Sequence, residues 1–211
     1  NGTGNSLTTL ELAGGDITLD GRNDGASRVT TVENLASGTG GGTLDLGKGA
    51  QLVVTGQQAG SHVTDVTVSG DGTLILGGEG TDSSLTLGNG SSLDGVLLDI
   101  REGSALSTAA GSVNTVSGLT GGGALKLSGV EMTVDSSASH TFTGTLDGAS
   151  GTLNFKSGNG SVQTIKGAGN AGYNLNVTDG GALTLAGAAA EGGNPAQAAY
   201  KGITVNGGTL N

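Results

Sequence analysis

The sequence predicts an all-β chain wound as a parallel β-helix, with three strands to a coil and a repeat near 27 residues. Three observations carry this. One short phrase returns along the whole chain. Runs of alternating polar and apolar residues fill the space between its returns. Glycine, at 45 of 211 residues, bounds those runs. Self-similarity at a fixed period of a few tens of residues is the mark of a repeat architecture.

The phrase is clearest at Gly41-Gly42-Thr43-Leu44-Asp45-Leu46 and at Gly70-Asp71-Gly72-Thr73-Leu74-Ile75-Leu76. It returns as Gly122-Gly123-Ala124-Leu125-Lys126-Leu127, as Gly151-Thr152-Leu153-Asn154-Phe155, as Gly180-Gly181-Ala182-Leu183-Thr184-Leu185 and as Gly207-Gly208-Thr209-Leu210-Asn211. Looser copies stand at Asp16-Ile17-Thr18-Leu19 and Val96-Leu97-Leu98-Asp99-Ile100. From Ile17 through Leu44, Leu74, Leu98, Leu125, Leu153 and Leu183 to Leu210 the steps are 27, 30, 24, 27, 28, 30 and 27 residues. Leu44, Leu74, Leu125, Leu153 and Leu183 are expected to stack in one buried column. Thr18, Asp45, Lys126, Asn154 and Thr184, their polar alternates, are expected to face solvent.

Each interval divides alike. After Thr43–Leu46, Gly47-Lys48-Gly49 reads as a turn, Gln51–Thr55 as a strand, Gly56–Ser61 as a loop and Val63–Ser69 as a strand. Later strands are expected at Ala124–Leu127, Val130–Val134, Thr141–Leu146, Thr152–Phe155, Val162–Ile165 and Tyr173–Val177. Period-2 runs bounded by Gly, Asn, Asp and Ser are the strand-and-turn signal, and no window carries a helical stripe. An antiparallel sandwich also uses many short strands, but rarely repeats one phrase seven or eight times. Two stretches depart from the pattern: the polar Asp20–Ser27, and Ala186–Tyr200, which is Ala-rich and holds Pro195, the only proline. Asp20–Ser27 reads as a polar loop, and Ala186–Tyr200 as a loop or short helix bulging from the spine.

Composition bounds the rest. With no Cys or Trp, two Phe and two Tyr, the core must be aliphatic and thin, spread along the chain as in a solenoid. The net charge of −10, from 18 acids against 8 bases, argues against nucleic acid as partner, since phosphate binding needs basic clusters. No apolar run approaches the ~20 residues of a membrane helix, and no signal peptide is visible. The pattern is cut at both ends, so residues 1–211 read as one β-helical segment of a longer protein.

The stretch Tyr200-Lys201-Gly202-Ile203-Thr204-Val205-Asn206-Gly207-Gly208-Thr209-Leu210 resembles the repeat of bacterial autotransporter passenger domains, and His140-Thr141-Phe142-Thr143-Gly144-Thr145-Leu146 is similar to its middle portion. That repeat runs approximately Gly-Thr-Leu-x-Leu-x-Gly, then Thr-Tyr-Thr-Gly, then Thr-x-Val-x-x-Gly-x-Leu. Here the Tyr200 segment is one residue short and most repeats lack Tyr-Thr-Gly. The resemblance implies a right-handed β-helix carried to the bacterial surface through a C-terminal membrane barrel that lies outside this chain. The absence of Cys fits that route, because a disulfide-closed loop would hinder passage of an extended chain.

Motifs for chemistry are weak. Gly42-Thr43-Leu44-Asp45-Leu46-Gly47-Lys48-Gly49 has the spacing of a phosphate-binding loop up to its lysine, but Gly49 stands where Ser or Thr is needed and a strand follows where a helix should. Gly77-Gly78-Glu79-Gly80-Thr81-Asp82 begins like a calcium-binding nonapeptide, yet the apolar Leu85 comes one place late and no second copy follows. Only His62 and His140 could act as imidazole bases. No Gly-x-Ser-x-Gly elbow exists, and Gly70-Asp71-Gly72 lacks a nucleophilic Ser. The carboxylates could include a glycosidase-type acid pair. Polysaccharide clefts, however, use aromatic platforms, and only Phe142, Phe155, Tyr173 and Tyr200 are available, with Phe155 reading as core. The sequon Asn176-Val177-Thr178 carries little weight. No catalytic, cofactor-binding or metal-binding residue is assigned, and no cofactor is expected. The expectation is a non-enzymatic adhesin or self-association scaffold at the cell surface, touching host or bacterial surfaces or other copies of itself. A polysaccharide-active β-helix enzyme and an inert spacer are the alternatives.

Overall fold

Among the described residues, every pairing between strands is parallel and non-local. The structure is a computed structural model, and it describes residues 5–21, 27–157, 160–167, 172–186 and 200–211. These residues form a parallel β-solenoid of about eight turns, with no helix among them. The expected all-β, parallel β-helical class is therefore found. At ~4.8 Å between neighbouring strands, eight turns span roughly 40 Å. Of the irregular stretches, residues 22–26 and 187–199 lie outside the described residues.

The pairings run in three ladders along the axis. The first joins Asn5–Leu12, Arg28–Ser37, Ala50–Val54, Thr73–Leu76, Leu97–Ile100 and Gly118–Thr120. It passes through a bridge between Gly121 and Phe142 into His140–Phe142, Val162–Ile165, Ala182–Leu185 and Thr209–Leu210. The second joins Gly15–Leu19, Gly42–Leu46, Val66–Ser69, Ser92–Asp94 and Val113–Val116. The third joins His62–Val63, Ser84–Leu87 and Ala105–Thr108. Two 12-residue strands, Ala124–Asp135 and Thr145–Lys156, bend so that their first halves continue the third ladder and their second halves the second. Tyr173–Thr178 and Gly202–Asn206 then extend the second ladder.

Register corrects one expectation. Leu44, Leu74, Leu125, Leu153 and Leu183 are all fully buried, but they do not share a column. Leu44 pairs with Val68 and lies with Leu153 on the second ladder. Leu74 pairs with Leu52 and Leu98 on the first, where Leu183 also sits, further along. Leu125 pairs with Leu106 and Leu146 on the third. The cause is that a coil is shorter than most steps of the phrase. Residues opposite one another stand as little as 18 apart (Asn114 and Met132) and as much as 28 apart (Asn174 and Gly202). Leu44 meets Val68 one coil on, and the next phrase leucine, Leu74, lies six residues beyond Val68. The phrase thus marks a corner followed by a strand, whichever face that strand occupies.

The polar alternates behave as expected: Thr18 is exposed, and Asp45, Lys126, Asn154 and Thr184 are partly exposed at outward positions. The expected strand Val63–Ser69 is instead two, His62–Val63 and Val66–Ser69. Asp65, at a φ of 55°, turns the corner between them. Asp visits this left-handed region more readily than bulkier residues because its short polar side chain bonds locally. Its carbonyl accepts the Gly42 N–H at 2.9 Å, so corners on successive coils lock together. Gly41 sits against this corner at a φ of 60°, and a Cβ there would overlap the Asp65 carbonyl oxygen. Gly41→Ala is expected to cost at least the ~1–2 kcal/mol of a left-handed alanine. A urea melt showing an unchanged midpoint would refute that assignment.

Polar side chains stand in where the ladders falter. Gln57 is buried, and its Oε1 accepts the Leu35 N–H at 2.8 Å. Gln163 is also buried; its Oε1 accepts the Leu119 N–H at 3.1 Å while its Nε2 donates to the Leu119 carbonyl at 2.9 Å. Asn114 occupies an inward position, where its Oδ1 accepts from the Leu93 N–H at 3.3 Å. An amide in such a place meets a backbone group as a peptide unit would, and avoids the cost of burying it unpaired.

Candidate functional site

The outward positions of the second ladder form a polar rank. Thr18, Asp45, Ser69, Asp94, Thr115, Thr133, Asn154, Asn176 and Thr204 succeed one another, one per coil. Alternation dictates this from Asp45 to Asn176, since the residues just before them, Leu44, Val68, Leu93, Asn114, Met132, Leu153 and Leu175, are buried. Bonds tie neighbouring coils along this face: Thr67 Oγ1 to Ser92 Oγ at 3.0 Å, and Asn176 Nδ2 donating to Asn154 Oδ1 at 2.9 Å. Asn154 Nδ2 in turn donates to Glu131 Oε2 at 3.4 Å. On the first ladder, Thr141, Thr164 and Thr184 stack in the same way. The outer surface is thus an array of hydroxyl, amide and carboxylate groups repeating at ~4.8 Å along the axis.

The aromatic residues do not join this surface. Phe142, Phe155 and Tyr173 are fully buried and Tyr200 is half-buried. The Tyr173 hydroxyl accepts the Leu127 N–H at 2.7 Å, and its proton is within reach of the carbonyl oxygens of Asp147 (2.6 Å) and Leu125 (2.9 Å). Burial pushes this phenol up to about 12, the Leu127 N–H opposing the shift and the Asp147 charge adding to it.

The two histidines lie on different ladders and do not converge. His62 is exposed on the third, its Nδ1 3.4 Å from the Gly60 carbonyl. His140 is half-buried on the first, opposite Gln163, and burial lowers its pKa. A His whose folded pKa lies below its unfolded value contributes its full stability above the unfolded value, near pH 6.5, and loses it as pH falls through the folded one. Between pH 7 and 5 the urea midpoint of the wild-type chain is therefore expected to fall more steeply than that of His140→Gln. Parallel curves would show that His140 takes no part.

The remaining sequence candidates resolve into corners. Gly47–Ala50 is a turn closed by the Ala50 N–H on the Gly47 carbonyl at 2.8 Å, with Lys48 exposed. The Gly78–Thr81 stretch is a tight turn closed at 2.9 Å, with Glu79 and Asp82 exposed. Among the described residues no three His, Cys, Asp or Glu side chains gather as a metal-holding group. The pKa of Asp99 rises, because burial outweighs the nearby Arg101, whose Nε stands 3.8 Å from its Oδ2.

One concavity forms where the third ladder begins. A cleft of about 410 Å³ is lined by Thr9, Asn34, Leu35, Ala36, Ser37, Gln57, Gly60, Ser61 and His62. Coil stacking gathers these residues from three successive passes of the chain, so no local motif announced the cleft. No family model, curated protein or solved structure matches the chain.

Proposed function

We propose that this solenoid is a segment of a surface-displayed rod of the autotransporter passenger type. It acts by contact, in adhesion or self-association, and turns over no substrate. The observation that supports this reading most is the outer polar rank, continuous over nine coil positions from Thr18 to Thr204, with Asn154 and Asn176 joined side chain to side chain within it. Groups fixed on a rigid scaffold lose little entropy on contact, and many weak contacts along one axis sum by multivalency. The sequence resemblance supplies the route to the cell surface in this reading, and the C-terminal barrel belongs to the parent protein.

The test replaces this segment, in the parent protein on cells, with an unrelated β-solenoid of equal length. Clumping and surface attachment should fall, and charge reversal along the Thr18–Thr204 face should reproduce part of the loss. Unchanged clumping and attachment would reduce the segment to a spacer. Self-repulsion of the acidic surface is screened beyond about 8 Å at physiological ionic strength, so clumping should rise from low to moderate salt.

A further inference from the structure

The corner between Ser84–Leu87 and Ser92–Asp94 reads Gly88-Asn89-Gly90-Ser91, closed by the Ser91 N–H on the Gly88 carbonyl at 3.2 Å. It is fastened to the corner one coil earlier on both sides of Gly90. The Asn89 carbonyl accepts the Asp65 N–H at 3.1 Å. Ser91 Oγ donates to the Val63 carbonyl at 3.0 Å and accepts the Val66 N–H at 3.3 Å. Between these anchors the polar groups are unengaged. Asn89 and Gly90 are exposed, and neither the Asn89 carboxamide nor the Gly90 N–H is hydrogen-bonded by a described residue. The carboxamides of Asn114, Asn154 and Asn176, by contrast, are all bonded. Among the described residues the same dipeptide recurs only at Asn206-Gly207, in the last coil.

We propose that Asn89-Gly90 is a site of spontaneous covalent change, where Asn89 closes on the Gly90 nitrogen, loses ammonia and reopens as aspartate or isoaspartate, the latter unfastening the corner. The Gly90 nitrogen attacks Asn89 Cγ. The new C–N bond closes a five-membered imide, and the carboxamide nitrogen departs as ammonia with the proton that Gly90 gives up. Water then opens the imide. Attack at Cγ leaves aspartate in an ordinary backbone. Attack at the Asn89 main-chain carbonyl leaves isoaspartate, with the backbone routed through Cβ and Cγ. Three features favour the reaction here. Asparagine is a thermolabile residue to begin with. Gly90 has no side chain to shield its nitrogen, and glycine on both sides of Asn89 lets the backbone turn into the ring. The two reacting groups are free, so no hydrogen bond must break first. Isoaspartate adds a main-chain carbon between Asn89 and Ser91. It also turns the carbonyl that holds the Asp65 N–H into a pendant carboxylate, beside an Asp65 side chain already packed against Gly90. The two anchors cannot then both keep their partners.

The experiment incubates the 211-residue chain for weeks at neutral pH and body temperature, and maps its peptides by mass. The peptide holding Asn89 should gain the mass of an amide-to-acid exchange and resolve into two products, aspartate and isoaspartate. Asn89→Gln would have to close a six-membered ring, and should keep its mass. In the isoaspartate form, hydrogen exchange at the Asp65 and Val66 amides should quicken about tenfold, the effect of a lost backbone hydrogen bond. Asn89→Asp makes the other product directly and should exchange there as the fresh chain does. Asn89 left intact when a free Leu-Gly-Asn-Gly-Ser-Ser peptide has converted, a product of aspartate alone, or equal conversion in Asn89→Gln would each overturn the site. Isoaspartate with unchanged exchange at Asp65 and Val66 would overturn the unfastening. The mass map and the exchange of the aged chain are read on the wild-type sequence, so neither depends on a variant folding.

Discussion

Tyr173→Ala is expected to be the most damaging single substitution in the described structure, costing about 3–5 kcal/mol for the lost aromatic side chain alone. Tyr173 is fully buried and is the largest such side chain in the core. Its hydroxyl also does what no aliphatic residue could. The paired strands Ala124–Asp135 and Thr145–Lys156 slip register between Lys126 and Ser128, and the Leu127 N–H at that slip donates to the Tyr173 oxygen. Removing only the hydroxyl, in Tyr173→Phe, leaves that N–H buried without a partner and should cost about 1–3 kcal/mol. The phenol provides a second signature. Its folded pKa, raised to about 12, lies above the ordinary tyrosine value near 10. Its contribution is complete below pH 10 and is lost as pH rises through the folded value. Wild-type stability should therefore drop between about pH 10 and 12, and Tyr173→Phe should flatten that drop. If the two chains lose stability in parallel on the alkaline side, the hydroxyl is not anchoring the slip.

Leu125→Ala is expected to cost about 2–5 kcal/mol, because Leu125 is buried in the column Leu85, Leu106, Leu125, Leu146 and its removal leaves a cavity. Solenoid stability adds coil by coil through neighbouring interfaces, so the loss should be local in origin. Hydrogen exchange should quicken first at Leu106, Leu125 and Leu146, and later at Leu44 and Val68. Uniform quickening would mean that the solenoid opens as one unit. Leu153→Ala on the second ladder lies on a neighbouring coil and should couple to Leu125→Ala more strongly than Leu44→Ala does.

The fold class was legible because alternation and glycine placement are local signals, and both were repeated. Coil length was not. The phrase with Gly and Leu looks like the unit of the solenoid but marks only a corner and its following strand, so counting from phrase to phrase adds a face to most coils. The corner at Asp65 was missed for a similar reason: an acid supplies the positive φ, and neither Gly nor Pro flags the break. Gln163 carried a readable sign, since it alternates with the inward Ile165 and so is a polar residue at an apolar position. Its partner, Leu119, is 44 residues away, and no local pattern points to it. Val113-Asn114-Thr115-Val116 shows the limit of alternation. Its two valines cannot both face inward, and the structure buries Asn114 and Val116 while leaving Val113 73% exposed. The cleft has no signature in any one stretch, because stacking alone brings residues 9, 34–37, 57 and 60–62 together.

Stacking in chain order has an electrical consequence. Residues 1–100 carry 12 acids against 3 bases, and residues 101–211 carry 6 against 5. In a globule such a difference is folded away; in a solenoid, position in the chain becomes height along the axis. The rod is thus strongly negative toward its N-terminal end and nearly neutral toward the other. Its length of roughly 40 Å is several screening lengths at physiological salt, so each end is felt separately by a neighbour. Two rods lying side by side repel least when they point in opposite directions, which is the arrangement that the surface display proposed above would give rods on two facing cells.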